Sequence, residues 1–391
     1  MFPRPNFKFL ITQILVVFVL SSTGIAQNAI QLGWIHNHIK ASELDPKMEH
    51  KGDFVDGVRW QDEAGEQTFF LCYDQREKEM ARDIYLYQYS KVGSTVKLVW
   101  DIKDFSGALC SETFIFNSLQ LVDFDQDGVL EACFIYQNQC DGLDPYTTKM
   151  MLMVNGKKLA IRGKFAVEDG AEVEQKIDPI VAQYPKLYKN FMLMVWNDFK
   201  TQELEYERTI KYKTSDVVVL EKEYLMASGG TEYELLDLDG IPLPLSKTLT
   251  EKINWASTLD LMPDRKNLLY ASTKGIGIYD PVARKDQSLM TFFEDTDAIS
   301  QIVWSPDRSK IAFAALNRVQ YPKATKIFVL TLKGNELVKK EKFDVKTFYM
   351  AASIWVVDGP KFIDNQTLEY IEHVNHEDDP EKGPRKTISL N

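Results

Sequence analysis

Apolar positions along the chain come in short runs rich in Val, Ile, Phe, Tyr and Thr, cut by turns of Asp, Gly, Asn and Pro. That spacing predicts antiparallel strands and hairpins rather than helices. Phe69-Phe70-Leu71-Cys72-Tyr73, Asp83-Ile84-Tyr85-Leu86-Tyr87, Val96-Lys97-Leu98-Val99-Trp100 and Ala132-Cys133-Phe134-Ile135-Tyr136 are the clearest of these runs. One stretch has a different period. Between Asp178 and Phe199 the residues Ile180, Tyr184, Leu187, Tyr188, Phe191 and Val195 recur at three- and four-residue intervals. Asp178 suits an N-cap and Pro179 a first helical position, so one amphipathic helix is expected over 178–199, its apolar stripe on a sheet face.

The strand units repeat. Leu261-Met262-Pro263-Asp264-Arg265-Lys266-Asn267-Leu268-Leu269-Tyr270 aligns with Trp304-Ser305-Pro306-Asp307-Arg308-Ser309-Lys310-Ile311-Ala312-Phe313, placing Asp264 and Asp307 43 residues apart. Phe362 to Tyr370 is a looser third copy, its Asp364 a further 57 residues on. Each is a polar turn between two strands, and a period of this length marks an array of supersecondary units. Trp304-Ser305-Pro306-Asp307, then Lys310-Ile311-Ala312-Phe313 and Ile327-Phe328-Val329-Leu330, resembles the repeat of TolB-type β-propellers over about residues 253–390. The resemblance implies blades of four antiparallel strands. The expected fold is therefore all-β, a propeller or partial propeller with one inserted helix. Trp60 to Trp100 and Tyr233 to Gly240 fit further blades without the motif. Two organisations remain open: an N-terminal β domain over 27–210 beside propeller-like repeats over 211–391, or one ring closed by blades from both.

The N-terminus changes where such a protein is expected to work. Arg4 and Lys8 precede an apolar run from Phe9 to Leu20, and Gly24-Ile25-Ala26 ends the segment with small residues at the positions a signal peptidase reads. The apolar run is shorter than the roughly 20 residues of a membrane span. A signal peptide over 1–26, cleavage near Ala26 and a periplasmic or extracellular location are expected, with no membrane span in the remainder. Export lets cysteines pair. Of Cys72, Cys110, Cys133 and Cys140, the second and fourth sit in turn-rich polar surroundings and are expected to form a disulfide. Cys72 and Cys133 lie in strand-like runs, as buried thiols or paired with each other. With 57 acidic against 46 basic residues the formal charge is −11, which disfavours sequence-independent binding to nucleic acid.

The sharpest chemical signal is Asp123-Phe124-Asp125-Gln126-Asp127-Gly128-Val129-Leu130-Glu131. Carboxylates at alternate positions of a tight loop converge on one point and offer hard oxygen ligands, which suits Ca²⁺. An EF-hand needs Glu at the twelfth position, where this chain has Phe134, and the flanks read as strands. The loop instead resembles the calcium hairpin of FG-GAP repeats in integrin-type propellers. That resemblance implies Asp123, Asp125, Asp127 and Glu131 as ligands, with the Val129 carbonyl as a fifth. The block from Asp123 to Gly163 is similar to an uncharacterised exported bacterial family loosely connected with surface-polysaccharide biosynthesis, which implies a cell-envelope role and carries over no catalytic residue.

No other motif points to chemistry. His373-Val374-Asn375-His376 lacks HExxH spacing, His36 and His38 read as strand neighbours, and Ser305 belongs to the repeat turn rather than a GxSxG elbow. The reading is an exported, non-catalytic binding or scaffold protein of the envelope that recognises a protein or glycan through a propeller face and carries structural calcium. The alternative is an envelope enzyme that acts on surface polysaccharide through paired carboxylates.

Overall fold

The computed structural model describes residues 38–140, 142, 144–167, 170–202, 204, 206–224, 231–254, 256–292, 298–316, 325–345, 348–351, 354–357, 359–373 and 383–390. The expected leader, His36 and His376 lie outside them. The fold is mostly β. The first sheet has ten strands: β1 (Asp53–Asp62), β2 (Gly65–Arg76), β3 (Ala81–Val92), β4 (Thr95–Asp104), β5 (Cys110–Phe114), β6 (Gln120–Val122), β7 (Glu131–Cys140), β8 (Tyr146–Val154), β9 (Lys157–Phe165) and β10 (Glu172–Ile177). Strands β1 to β4 form one antiparallel meander and β7 to β10 another. The two halves join where β5, paired with β7, meets β3 in parallel at Arg82 and Ser111.

After the helix α1 (Lys186–Thr201) come β11 (Tyr206–Lys213), β12 (Val218–Tyr224) and β13 (Thr231–Leu236), which form a second sheet. Helix α2 (Lys247–Asn254) leads to a four-stranded meander of β14 (Thr258–Leu261), β15 (Leu268–Ser272), β16 (Gly275–Asp280) and β17 (Lys285–Thr291). A fourth sheet holds β18 (Ala298–Ile299), β19 (Val303–Trp304), β20 (Lys310–Leu316), β21 (Thr325–Lys333) and β22 (Glu336–Val345). The pair β23 (Phe348–Ala351) and β24 (Ile354–Val357) precedes a last sheet of β25 (Lys361–Asp364), β26 (Thr367–Ile371) and β27 (Arg385–Ser389). No sheet closes on itself into a barrel among the described residues.

Because side chains alternate along a strand, each sheet feeds two cores. On β7, Ala132, Phe134 and Tyr136 pack with Trp60, Phe69, Leu71 and Trp100 of the first meander. Cys133 and Ile135 point the other way, into a core shared with α1 and with Val218 and Leu220 of β12. Val219 of β12 enters the next core with α2 and with Leu268 and Tyr270 of β15. Leu269 and Ala271 of β15 join Ile311 and Phe313 of β20, and Ala312 and Ala314 of β20 meet Phe362 and Leu368 of the last sheet. Neighbouring sheets in the chain are thus stacked face to face, each core shared between two. The outer face of the first meander, with Phe70, Tyr85, Tyr87 and Tyr89, is covered by the preceding segment through Met48 and Leu44.

The helix differs from the expected span. Residues Pro179–Gln183 form a short 3-10 turn and α1 starts only at Lys186, after Pro185. Pro185 explains the break, since proline disfavours helical geometry at the residue before it and lacks the N–H that an α-helix would need from it. Asp178 makes no capping bond and instead pairs with Arg162 of β9. The expected stripe does face a sheet: Leu187, Tyr188, Phe191 and Val195 are buried against β7, β8 and β9, joined by Trp196, while Ile180 and Tyr184, which lie before the helix, are partly buried against the same core. Gly163 allows this approach, because a Cβ there would lie 2.6 Å from Trp196 Cζ2.

The repeat turns share one construction. In the β14–β15 turn, Asp264 Oδ1 accepts from the Lys266 and Asn267 amides at 2.9 and 3.0 Å, and Arg265 holds φ +56°. In the β19–β20 turn, Asp307 Oδ1 accepts from the Ser309 amide at 3.0 Å with Arg308 at φ +55°. In the β25–β26 turn, Asp364 Oδ1 accepts from the Gln366 amide at 2.7 Å. Ser305 Oγ donates to Asp307 and accepts from the Lys310 amide, a structural role.

Candidate metal site

The acidic loop connects β6 to β7, whose pairing brings Val122 opposite Glu131 and closes the hairpin at its base. Between them the chain needs two left-handed residues, Gln126 at φ +60° and Gly128 at φ +83°. Gly128 also permits close packing, since a Cβ there would stand 2.3 Å from Glu63 Cγ. Asp123 organises the turn, its Oδ1 accepting from the Asp127 amide at 3.2 Å and its Oδ2 from the Gly128 amide at 3.0 Å. Asp127 Oδ1 accepts from the Val129 amide at 2.8 Å.

Carboxylate oxygens of Asp123, Asp125 and Asp127 come within 4.8 Å of one another, with Asp125 and Asp127 exposed and Asp123 half-buried. Burial, and the Asp127 and Asp125 charges, push the Asp123 carboxyl above its usual range. The donor set is all oxygen, carries three negative charges on one point and sits on a loop whose backbone fixes their convergence; it fits a hard divalent cation. Glu131 is placed differently. Its Oε2 accepts from the Phe124 amide at 3.0 Å, and it stands outside the group formed by the three aspartates. It is 4% exposed, and burial pushes it up to about 8. Val129 contributes its amide to the turn.

Two residues that carry no motif complete the surroundings. The β1–β2 turn reaches over the loop: the Glu63 amide donates to the Gly128 carbonyl at 3.0 Å, and Asp62 Oδ2 accepts from the Leu130 amide at 3.4 Å. Asp62 is buried, which raises its pKa, and it also accepts from Trp60 Nε1 at 3.1 Å, Gln67 Nε2 at 3.1 Å and the Ala64 amide at 3.0 Å. Behind the loop, Phe124 stacks on Tyr188 of α1 with centroids 4.4 Å apart, and Lys213 Nζ donates to the Phe124 carbonyl at 2.6 Å. The hairpin is thereby held from the first meander, the helix and the second sheet.

The chain matches no protein-family model, and no curated protein matches it. Among solved structures it is similar to the crystal structure of the tricorn protease, with a TM-score of 0.27 and 10% identity, over 78% of this chain and 32% of that one. The chain spans about a third of the length of that protein, and a likeness this slight assigns neither fold family nor function.

The other expected groups are dispersed. Cys110 and Cys140 form a disulfide, but from strands rather than loops: Cys110 opens β5, Cys140 ends β7, and the two face each other in register. Cys72 and Cys133 are buried free thiols, each pushed up to about 12 by burial. His38 pairs with Asp56 at 2.9 Å, His50 packs on Phe70, and His373 is buried. Trp60, Trp100 and Trp196 are core residues, and no helix among the described residues is long and apolar enough to cross a membrane.

Proposed function

We propose that the protein is an exported, non-catalytic binding scaffold of the cell envelope, built as a propeller-type stack of blades, that presents loop faces to a glycan or protein. The observation that carries this reading is the succession of sheets that share their cores in chain order, joined by turns of one repeated construction. A stack of this kind presents the loops at its ends on a frame of packed sheets, an arrangement that suits recognition. The Cys110–Cys140 disulfide supports an oxidising compartment. Asp123, Asp125 and Asp127 would hold Ca²⁺, whose contribution is to neutralise three clustered charges and lock the β6–β7 hairpin.

The test is to incubate the exported chain with polysaccharide extracted from the surface of the cells that make it. Retention of the polymer with its length unchanged is the expected result. Shortening of the polymer would overturn the non-catalytic reading in favour of a paired-carboxylate enzyme, and absence of retention would overturn the glycan arm in favour of a protein partner.

A further inference from the structure

The cores described above lie between packed sheets, whereas the outer face of the first meander is closed by an irregular segment. Residues 38–51 cross it without a strand or an α-helix, and only Ile39 and Met48 among them are buried. Gly52, at φ +82°, turns the segment back onto the sheet at a point where a Cβ would stand 2.7 Å from the Tyr73 carbonyl oxygen. We infer that residues 38–51 are a displaceable strap, an intrachain occupant of a docking face. That face takes a non-helical segment of a partner protein with the strap's own chemistry: an acidic residue, an apolar residue three positions on and a lysine three further. The face is separate from the loops that the glycan reading invokes.

The strap is held by charge on either side of one apolar anchor. Asp45 pairs with Lys91 of β3 at 3.0 Å, Lys51 pairs with Asp74 of β2 at 2.9 Å, and between them Met48 enters the cluster formed by Phe70, Cys72 and the β3 tyrosines. Those tyrosines alternate along β3 and meet the strap with their hydroxyls. Tyr85 accepts from Lys51 Nζ at 2.7 Å, Tyr87 accepts from the Lys51 amide at 3.0 Å, and Tyr89 donates to the Glu49 carbonyl at 2.5 Å. Water can take the place of each of these partners, so uncovering this face costs less than parting two apolar sheet faces. The rings beneath support one another, Phe70 stacking with Tyr87 and Tyr89 at centroid separations of 5.2 and 6.0 Å. The surface also continues past the strap. Phe105, 62% exposed, meets Tyr85 edge-on at 6.1 Å, and Leu98 of β4, 40% exposed, stands opposite Tyr89. A partner longer than the strap therefore finds further apolar surface to cover.

The probe is an acetylated fluorescent peptide of the strap's own sequence, Leu44 to Lys51, titrated into the exported chain and followed by anisotropy. The intrachain strap competes with it. Lys51→Ala in the chain weakens the strap and leaves the face intact, so peptide affinity is expected to rise about three- to tenfold, and adding Asp74→Asn to that variant is expected to remove the gain. Hydrogen exchange of the unaltered chain is the second measurement, and strap amides that open while β2 and β3 stay protected support a displaceable strap. Strap amides that exchange only together with β3 overturn it, whatever the variants do. Peptide affinity that is absent from both proteins or unchanged by Lys51→Ala, or a gain that survives Asp74→Asn, overturns the docking face. A dimer formed by Lys51→Ala at rising concentration, without peptide binding, assigns the face to the strap of a second copy and overturns the foreign partner.

Discussion

Glu112 shows how a single residue records the packing of two sheets. It lies on β5 with 1% exposure, its Oε1 accepting from Asn138 of β7 at 2.8 Å and its Oε2 without a partner. Burial, and then the nearby Asp104 charge, push it from 4.5 up to about 7, with Lys149 pulling the other way. Because the folded-state value is raised, the folded chain holds this proton more tightly than the unfolded chain. The contribution is fully present below the unfolded value and is lost as pH rises through about 7. Denaturant unfolding from pH 5 to 8 is expected to show wild-type stability falling relative to Glu112→Gln by on the order of 1–3 kcal/mol. Parallel curves for the two proteins would show that Glu112 is ionised at both ends of the range. Nothing in the sequence around Cys110-Ser111-Glu112 marks this residue, because its environment comes from Asn138, Asp104 and Lys149 on three other strands.

At the scale of the element, the β6–β7 hairpin was legible as a motif and only partly legible as a site. The alternation of Asp123, Asp125 and Asp127 and the position of Gly128 are local, and the loop does bring the three carboxylates together. Glu131 was not legible, because its side chain follows the strand alternation of β7 into the core shared with α1, where the Phe124 amide takes it. Calcium at 100 times its dissociation constant adds about 2.7 kcal/mol of stability to a folded state that alone binds it. Thermal unfolding is therefore expected to shift upward from EDTA to millimolar Ca²⁺, with the shift lost in Asp125→Asn and reduced in Gly128→Ala. The second variant forces a Cβ into φ +83° and onto Glu63, at a cost of about 1–3 kcal/mol. An identical melting temperature in EDTA and Ca²⁺ would leave the loop a hydrogen-bonded turn without a cation. The helix carries a related lesson: periodicity located its apolar face, but the start moved from Asp178 to Lys186 because Pro185 interrupts the register.

For the whole molecule, the stack of shared cores predicts how damage spreads. A chain whose sheets contact mainly their neighbours approximates a one-dimensional array, with stability summed from units and interfaces. Phe313→Ala empties part of the core between the third and fourth sheets, at a cost of about 3–5 kcal/mol. Native-state hydrogen exchange is expected to show lost protection concentrated in β14 to β22, with β1 to β4 little changed. A uniform loss across all sheets would instead describe one cooperative body.

The sequence by itself determined what depends on nearest neighbours in the chain. Alternating apolar runs set the strands, Asp264 and Asp307 set matching turns, and the acidic spacing set a loop whose carboxylates converge. Those features follow from backbone geometry and side chains a few residues apart. Tertiary structure decided everything that needs partners distant in sequence: the placing of the expected Cys110–Cys140 pair on the facing strands β5 and β7, the fate of Glu131 and the Asp62–Gln67–Gln88 ladder. The reason is that burial and hydrogen-bond completion are properties of assembled sheets. A strand pattern states that each face must be covered, and only the packed chain states by what.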